Sequence, residues 1–240
     1  MRSPMDSMML EARDLHKHFT LHNQGGIRLD VLDDVSFSIE RGQCIVLHGQ
    51  SGTGKSTLLR SLYANYLPQS GQVLVRHDEA WVDMVTAASH QILDIRRRTL
   101  GYVSQFLRVI PRVSTLDIVA EPLRRQGVPA NEAREQAETY LDRLNIPRRL
   151  WSLAPSTFSG GEQQRVNIAH CFVADYPILL LDEPTASLDA ANRQVVIDLM
   201  HAAMQRGAAL IGIFHDAEVR ENVGTHRLDM GTGELRSMAA

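Results

Sequence analysis

The run GQSGTGKST at residues 49–57 sets three glycines, a lysine and four hydroxyl side chains in the spacing G-x-x-x-x-G-K-[ST]. These are the residue types that handle phosphate. Gly49, Gly52 and Gly54 let backbone N–H groups turn inward around phosphate oxygens, where a side chain would force the loop open. Gln50, Ser51, Thr53 and Thr57 complete the run. Lys55 brings a point charge to the β- and γ-phosphates, and the Ser56 hydroxyl is a hard oxygen ligand for Mg²⁺. The flanks give the pattern its mechanism: QCIVLH (43–48) reads as a strand and TLLRSLYA (57–64) as a helix. A helix starting near Gly54 adds its N-terminal dipole to the anion site. A chance glycine-rich turn has neither neighbour, so the run implies a nucleoside triphosphate site.

Two further segments carry chemistry. ILLLDEP (178–184) is an apolar strand that ends in paired carboxylates. In a phosphate-loop protein the first acid, Asp182, is placed to hold Mg²⁺, and Glu183 to orient or deprotonate a water for in-line attack. FSGGEQQR (158–165) opens a helix with Ser159, Gly160, Gly161 and Glu162. A serine and two glycines at a helix N-terminus make a second anion device, a simple Ser159 cap being the plainer reading.

The elements that must position these residues follow from periodicity. Val35, Phe37 and Ile39 alternate along 31–40, the period of a half-buried strand, and 71–77 reads as another strand. Ala133, Ala137, Leu141 and Leu144 fall at helical spacing, so 115–126 and 131–145 predict helices. From 177 onward, PILLLD (177–182), a helix over 189–206 and AALIGIF (208–214) alternate, which indicates a parallel sheet covered on both faces. The predicted organisation is a loose tail over 1–9, a core built from 10–107 and 172–240, and a helical subdomain over 108–171.

Composition bounds the rest. The 240 residues are 44% hydrophobic and carry a net charge of −3, enough for a large core and without the basic pull of a nucleic-acid binder. No apolar run approaches the roughly 20 residues of a membrane span, and the N-terminus lacks a secretory h-region. Cys44 and Cys171 read as buried hydrophobes of a reducing cytosol, so the expectation is a cytoplasmic protein without direct membrane insertion.

Taken in order, GQSGTGKST, Gln105, FSGGEQQR, ILLLDEP, SLD (187–189) and His215 resemble the nucleotide-binding domain of ATP-binding cassette (ABC) proteins. The resemblance covers about residues 10–230. It implies an α/β fold of the phosphate-loop NTPase class: a RecA-like core with an N-terminal antiparallel β-subdomain and an inserted helical subdomain. It also implies ATP and Mg²⁺ as cofactors and a sandwich dimer, with itself or with a similar ABC ATPase. In that dimer Ser159 and Gly161 of one subunit reach the γ-phosphate held by the other. Gln105 is then the sensor of Mg²⁺ and water, Asp189 couples the two sites, and His215 contacts the γ-phosphate. Phe19 is placed to stack on adenine, with core packing as its other reading.

A finer resemblance lies outside those motifs. LYANYLP (62–68), WVDMVTA (81–87), SQFLRVIPR (104–112) and LWSLAPSTFSGGEQQRVNIAH (150–170) are similar to the ABC subunit family associated with bacterial carbon–phosphorus lyase. That implies core subunits of the lyase as partners, and association with synthesis of a ribose methylphosphonate triphosphate. The phosphonate chemistry itself is assigned to those partners. The alternative is the ATPase of a lipoprotein-release or macrolide-export transporter. Arg96, Arg97, Arg98, Arg108 and Arg112 form a basic stretch that reads either as a partner dock or as a solvated face.

Overall fold

The computed structural model describes residues 7–21, 25–105 and 112–238. Two sheets organise it. The first is antiparallel, with β1 (Met8–Leu21) between β2 (Ile27–Glu40) and β4 (Ser70–His77), and β5 (Ala80–Asp83) at the edge. The alternation expected in 31–40 is realised in β2, where Val35, Phe37 and Ile39 are buried. Met8 and Met9, left in the tail by the sequence reading, belong to β1, and Met9 is buried. The methionine-rich start concealed a strand whose apolar face also includes Leu10, Ala12 and Leu15.

The second sheet runs in the order β10 (Leu235–Ser237), β9 (His226–Asp229), β3 (Cys44–His48), β8 (Ala209–Ile213), β7 (Ile178–Asp182) and β6 (Leu100–Val103). Its pairings are parallel from β9 to β6, and β10 is antiparallel to β9. Parallel strands need covered faces, which is why β3, β7 and β8 are continuous apolar runs. Ile45 and Leu47 face a core shared with α1 (Lys55–Leu62) and the antiparallel sheet. Cys44 and Val46 face the opposite core, built with the helices of the central and last thirds. Both cysteines are buried, and burial pushes each thiol up to about 12.

α2 (Ser89–Arg98) leads into β6. The central helices are α3 (Thr115–Arg125), α4 (Ala130–Arg143) and α5 (Gly160–Phe172), followed by α6 (Ala190–Gln205) and α7 (Ala217–Val223). Ala133, Ala137, Leu141 and Leu144 are fully buried, so the apolar spacing of α4 found its core. β5, β6, α7, β9 and β10 were not read from the sequence, because short elements give too few periods to stand out, and neither was α2, which buries only Ile95. No helix among the described residues is long and apolar enough to cross a membrane.

Candidate nucleotide site

Strand order decides which residues meet. β3, β8, β7 and β6 are parallel neighbours, and each carries functional residues just past its carboxyl end: the Gly49 loop, His215, Asp182–Glu183 and Gln105. The carboxyl edge is where open α/β sheets bind ligands. In the loop, Gly54 has φ of 89°, and a Cβ there would lie 2.6 Å from the Val31 carbonyl. Lys55 Nζ donates to the Gly49 and Gln50 carbonyls at 2.6 and 2.7 Å, and Thr53 Oγ1 donates to the Gln50 carbonyl at 2.9 Å. The loop is thus held in a tight turn around its own lysine.

Asp182 is almost fully buried, 1% exposed. Its Oδ1 accepts from Ser56 Oγ at 3.2 Å and its Oδ2 from the Tyr102 hydroxyl at 3.2 Å. Burial raises this carboxyl above the ordinary aspartate range, against the lowering effect of those two donors. A buried anionic oxygen beside a serine hydroxyl is a hard-oxygen donor set that suits Mg²⁺. Glu183, the next residue, takes φ of 54°, a left-handed conformation that costs a non-glycine residue about 1–2 kcal/mol. Its N–H is fixed by the Ile213 carbonyl at 3.1 Å. Its Oε1 lies 2.6 Å from His215 Nε2, and its Oε2 accepts from Gln105 Nε2 at 3.3 Å. Gln105 thus reaches the second oxygen of Glu183.

The second expected site is separate within one chain. Ser159 caps α5 in a reciprocal box: its Oγ accepts from the Glu162 N–H at 3.3 Å, while Glu162 Oε2 accepts from the Ser159 N–H at 2.9 Å. The Ser159 hydroxyl, which donates to Glu162 Oε2 at 2.8 Å, and then the Ser159 N–H hold the Glu162 carboxyl below the usual range. Gly160 is exposed, and a Cβ on Gly161 would meet the Ser187 carbonyl at 2.9 Å, so the glycine turn packs on the SLD loop. Asp189 caps α6, accepting from the Asn192 N–H at 2.8 Å, and that bond lowers its carboxyl. Two ties join this region to the first site: Gln164 Nε2 donates to the Pro184 carbonyl at 3.2 Å, and Asn167 Nδ2 to the Ser104 carbonyl at 2.6 Å.

Phe19 lies on β1, edge-on to Tyr66 at 5.4 Å between centroids, with Lys17 Nζ 5.0 Å from its ring. In the basic stretch Arg97 is exposed, and Arg96 and Arg98 are half-buried. Arg97 and Arg98 are engaged by Asp94, and Arg98 also pairs with Asp78 at 2.7 Å. The Arg98 bond holds the Asp94 carboxyl well below its ordinary range. Arg96 donates to the Tyr63 carbonyl at 2.7 Å. Arg96 and Arg98 thus tie α2 to neighbouring segments, Arg97 pairs within α2, Arg112 is exposed, and Arg108 lies outside the described residues.

A family model described as ABC transporter matches residues 32–186. The chain belongs to the ABC transporter ATP-binding family. The cassette is 36% identical over 220 residues to the lipoprotein-releasing system ATP-binding protein LolD of Idiomarina loihiensis, covering 91% of this chain and 93% of that one. It is 36% identical over 202 residues to the macrolide export ATP-binding/permease protein MacB of Brucella melitensis, of which it spans 30%. Its fold matches the dimeric, post-hydrolysis structure of the ATP-binding cassette MJ0796 bound to ADP and Pi, with a TM-score of 0.85, 26% identity and coverage of 97% and 100%. The expected α/β ABC fold is therefore the observed one, and a cassette of this fold implies ATP with Mg²⁺. These relatives support the lipoprotein-release and macrolide-export branch over the carbon–phosphorus lyase branch.

Tyr102 escaped the sequence reading. The available signal was a phenol in an apolar strand, LGYV, three residues before Gln105.

Proposed function

We propose that this cassette hydrolyses ATP in a closed dimer and uses closure and reopening to move a bound partner. The observation that carries the reading is Glu183, bracketed by His215 and Gln105 at the edge of the sheet beside the phosphate loop. Glu183 accepts the proton of the attacking water, and His215 and Gln105 fix its two oxygens so that the base is aimed before substrate arrives. Lys55 and the 49–54 amides bind the phosphates, Ser56 and Asp182 are the Mg²⁺ residues, and Phe19 offers its ring to adenine. Mg²⁺, when bound, neutralises charge on the phosphate oxygens. The Ser159–Gly161 turn and the SLD loop share one surface, and in this reading they complete the partner copy's site, with Asp189 linking the two.

For the moved partner we adopt a membrane permease of the lipoprotein-release or macrolide-export kind, supported by relatives that match at 36% identity. A second reading, the carbon–phosphorus lyase core, is favoured by the segments 62–68 and 150–170. Both supply walls of a groove between α2–β6 and α3–α5, through Tyr63 and His170. A tagged Glu183→Gln protein, isolated with ATP and Mg²⁺ from its own host grown on a phosphonate, separates the two. An integral membrane permease in the membrane fraction supports the first reading. Lyase subunits in the soluble fraction overturn it in favour of the second.

A further inference from the structure

We propose that Tyr102 is a positioning residue for the Mg²⁺ carboxylate, clamped in place from the groove on the far side of β6. The inference rests on the Mg²⁺–ATP reading above. An aspartate carboxylate turns readily about its last torsion, so its plane must be fixed from outside. Ser56 fixes one oxygen of Asp182 at 3.2 Å, and the Tyr102 hydroxyl fixes the other at 3.2 Å. The Arg60 guanidinium lies beside the same phenol oxygen, and it donates onward to the Tyr66 hydroxyl at 3.0 Å. Charge on Arg60 polarises the Tyr102 O–H toward Asp182.

The ring of Tyr102 is held as firmly as its hydroxyl. It stacks on Tyr63, with centroids 5.0 Å apart and planes 29° apart, and the Arg96 guanidinium lies over the Tyr63 ring at 4.5 Å. Arg96 is pinned there by two bonds to the Tyr63 carbonyl, at 2.7 and 3.0 Å. The series Arg96, Tyr63, Tyr102, Asp182 runs from a wall of the groove to the metal carboxylate in unbroken contact. Groups that orient a metal ligand from behind set affinity for the ion, and their loss costs about tenfold or more.

The test is Mn²⁺ titrated into protein saturated with a non-hydrolysable ATP analogue, followed by electron paramagnetic resonance. Tyr102→Phe keeps the ring stack and removes the hydroxyl. It should weaken Mn²⁺ binding about tenfold while analogue binding in EDTA stays at the wild-type value. Tyr63→Leu keeps the hydroxyl and removes the clamp, and should weaken Mn²⁺ binding in the same direction to a smaller extent. Wild-type Mn²⁺ affinity in Tyr102→Phe overturns the proposal. So does equal loss of Mn²⁺ and analogue binding, which would make Tyr102 merely structural. A wild-type protein that binds no analogue even in EDTA would overturn the ATP reading itself, a result distinct from either.

Discussion

Asp182 sits where charge is most expensive, and its two donors offset only part of that expense. Because its folded carboxyl is raised above the unfolded one, its contribution to stability is fully present below the ordinary aspartate range. That contribution is lost as pH rises through the raised value. Replacing it by Asn removes the charge and keeps one acceptor and one donor for Ser56 and Tyr102. The Asp182→Asn protein should therefore melt higher than wild type at neutral pH in the absence of nucleotide, with the gap closing toward pH 4. A melting temperature below wild type at pH 7 would show that the carboxylate stabilises the empty site. Glu183 makes the same point through backbone: a φ of 54° is strain tolerated at the residue that must point at the water. The Glu183→Gln protein should retain ATP binding and lose about 10²–10⁴-fold in hydrolysis rate. Phosphate release at the wild-type rate would move the base elsewhere.

Among the elements, α5 has the most to connect. Its first turn presents the Ser159 glycine turn, its second and third turns reach Pro184 and Ser104, and its far end packs in the core through Ile168, Ala169 and Phe172. A shift of this helix must move the segments bearing Glu183 and Gln105 with it. Its start depends on the capping box, so Ser159→Ala should cost about 1 kcal/mol in urea unfolding, and Ser159→Gly only a few tenths. Equal losses for both would mean that the serine acts outside the cap. His170 Nε2 on α5 lies 3.6 Å from Glu121 Oε2 of α3, which brings these two helices together.

At the scale of the molecule, one chain presents two half-sites on different elements: the phosphate loop with its acids, and the α5 start with the SLD loop. A sandwich of two copies would bring the halves together, as expected from the dimeric relative. The Glu183→Gln protein should sediment as a dimer with ATP and Mg²⁺ and as a monomer without nucleotide, while Ser159→Arg should keep it monomeric. A Glu183→Gln chain that stays monomeric at saturating ATP would remove the dimer from the mechanism. The Arg97–Arg98 pair, read from sequence as a candidate dock, is spent on Asp94 and Asp78. A charge reversal there would loosen α2 before it tested any partner.

The sequence by itself determined what depends on local spacing. The phosphate loop needs its glycines at a fixed close spacing, β7 must be apolar up to Asp182, and the buried face of α4 follows from a 3.6-residue period. These survive translation into structure because each is settled within about a dozen residues. Tertiary structure decided what depends on neighbours far apart in the chain. Strand order set His215 and Gln105 on the two oxygens of Glu183, and pairing with β2 and β4 drew Met8 and Met9 into a sheet. Stacking put Tyr102 behind Asp182, 80 residues away. Arg98 likewise found Asp78 on another segment, and Arg96 the Tyr63 carbonyl 33 residues away. Side-chain reach and sheet topology, which no window of sequence contains, turned a set of motifs into one site.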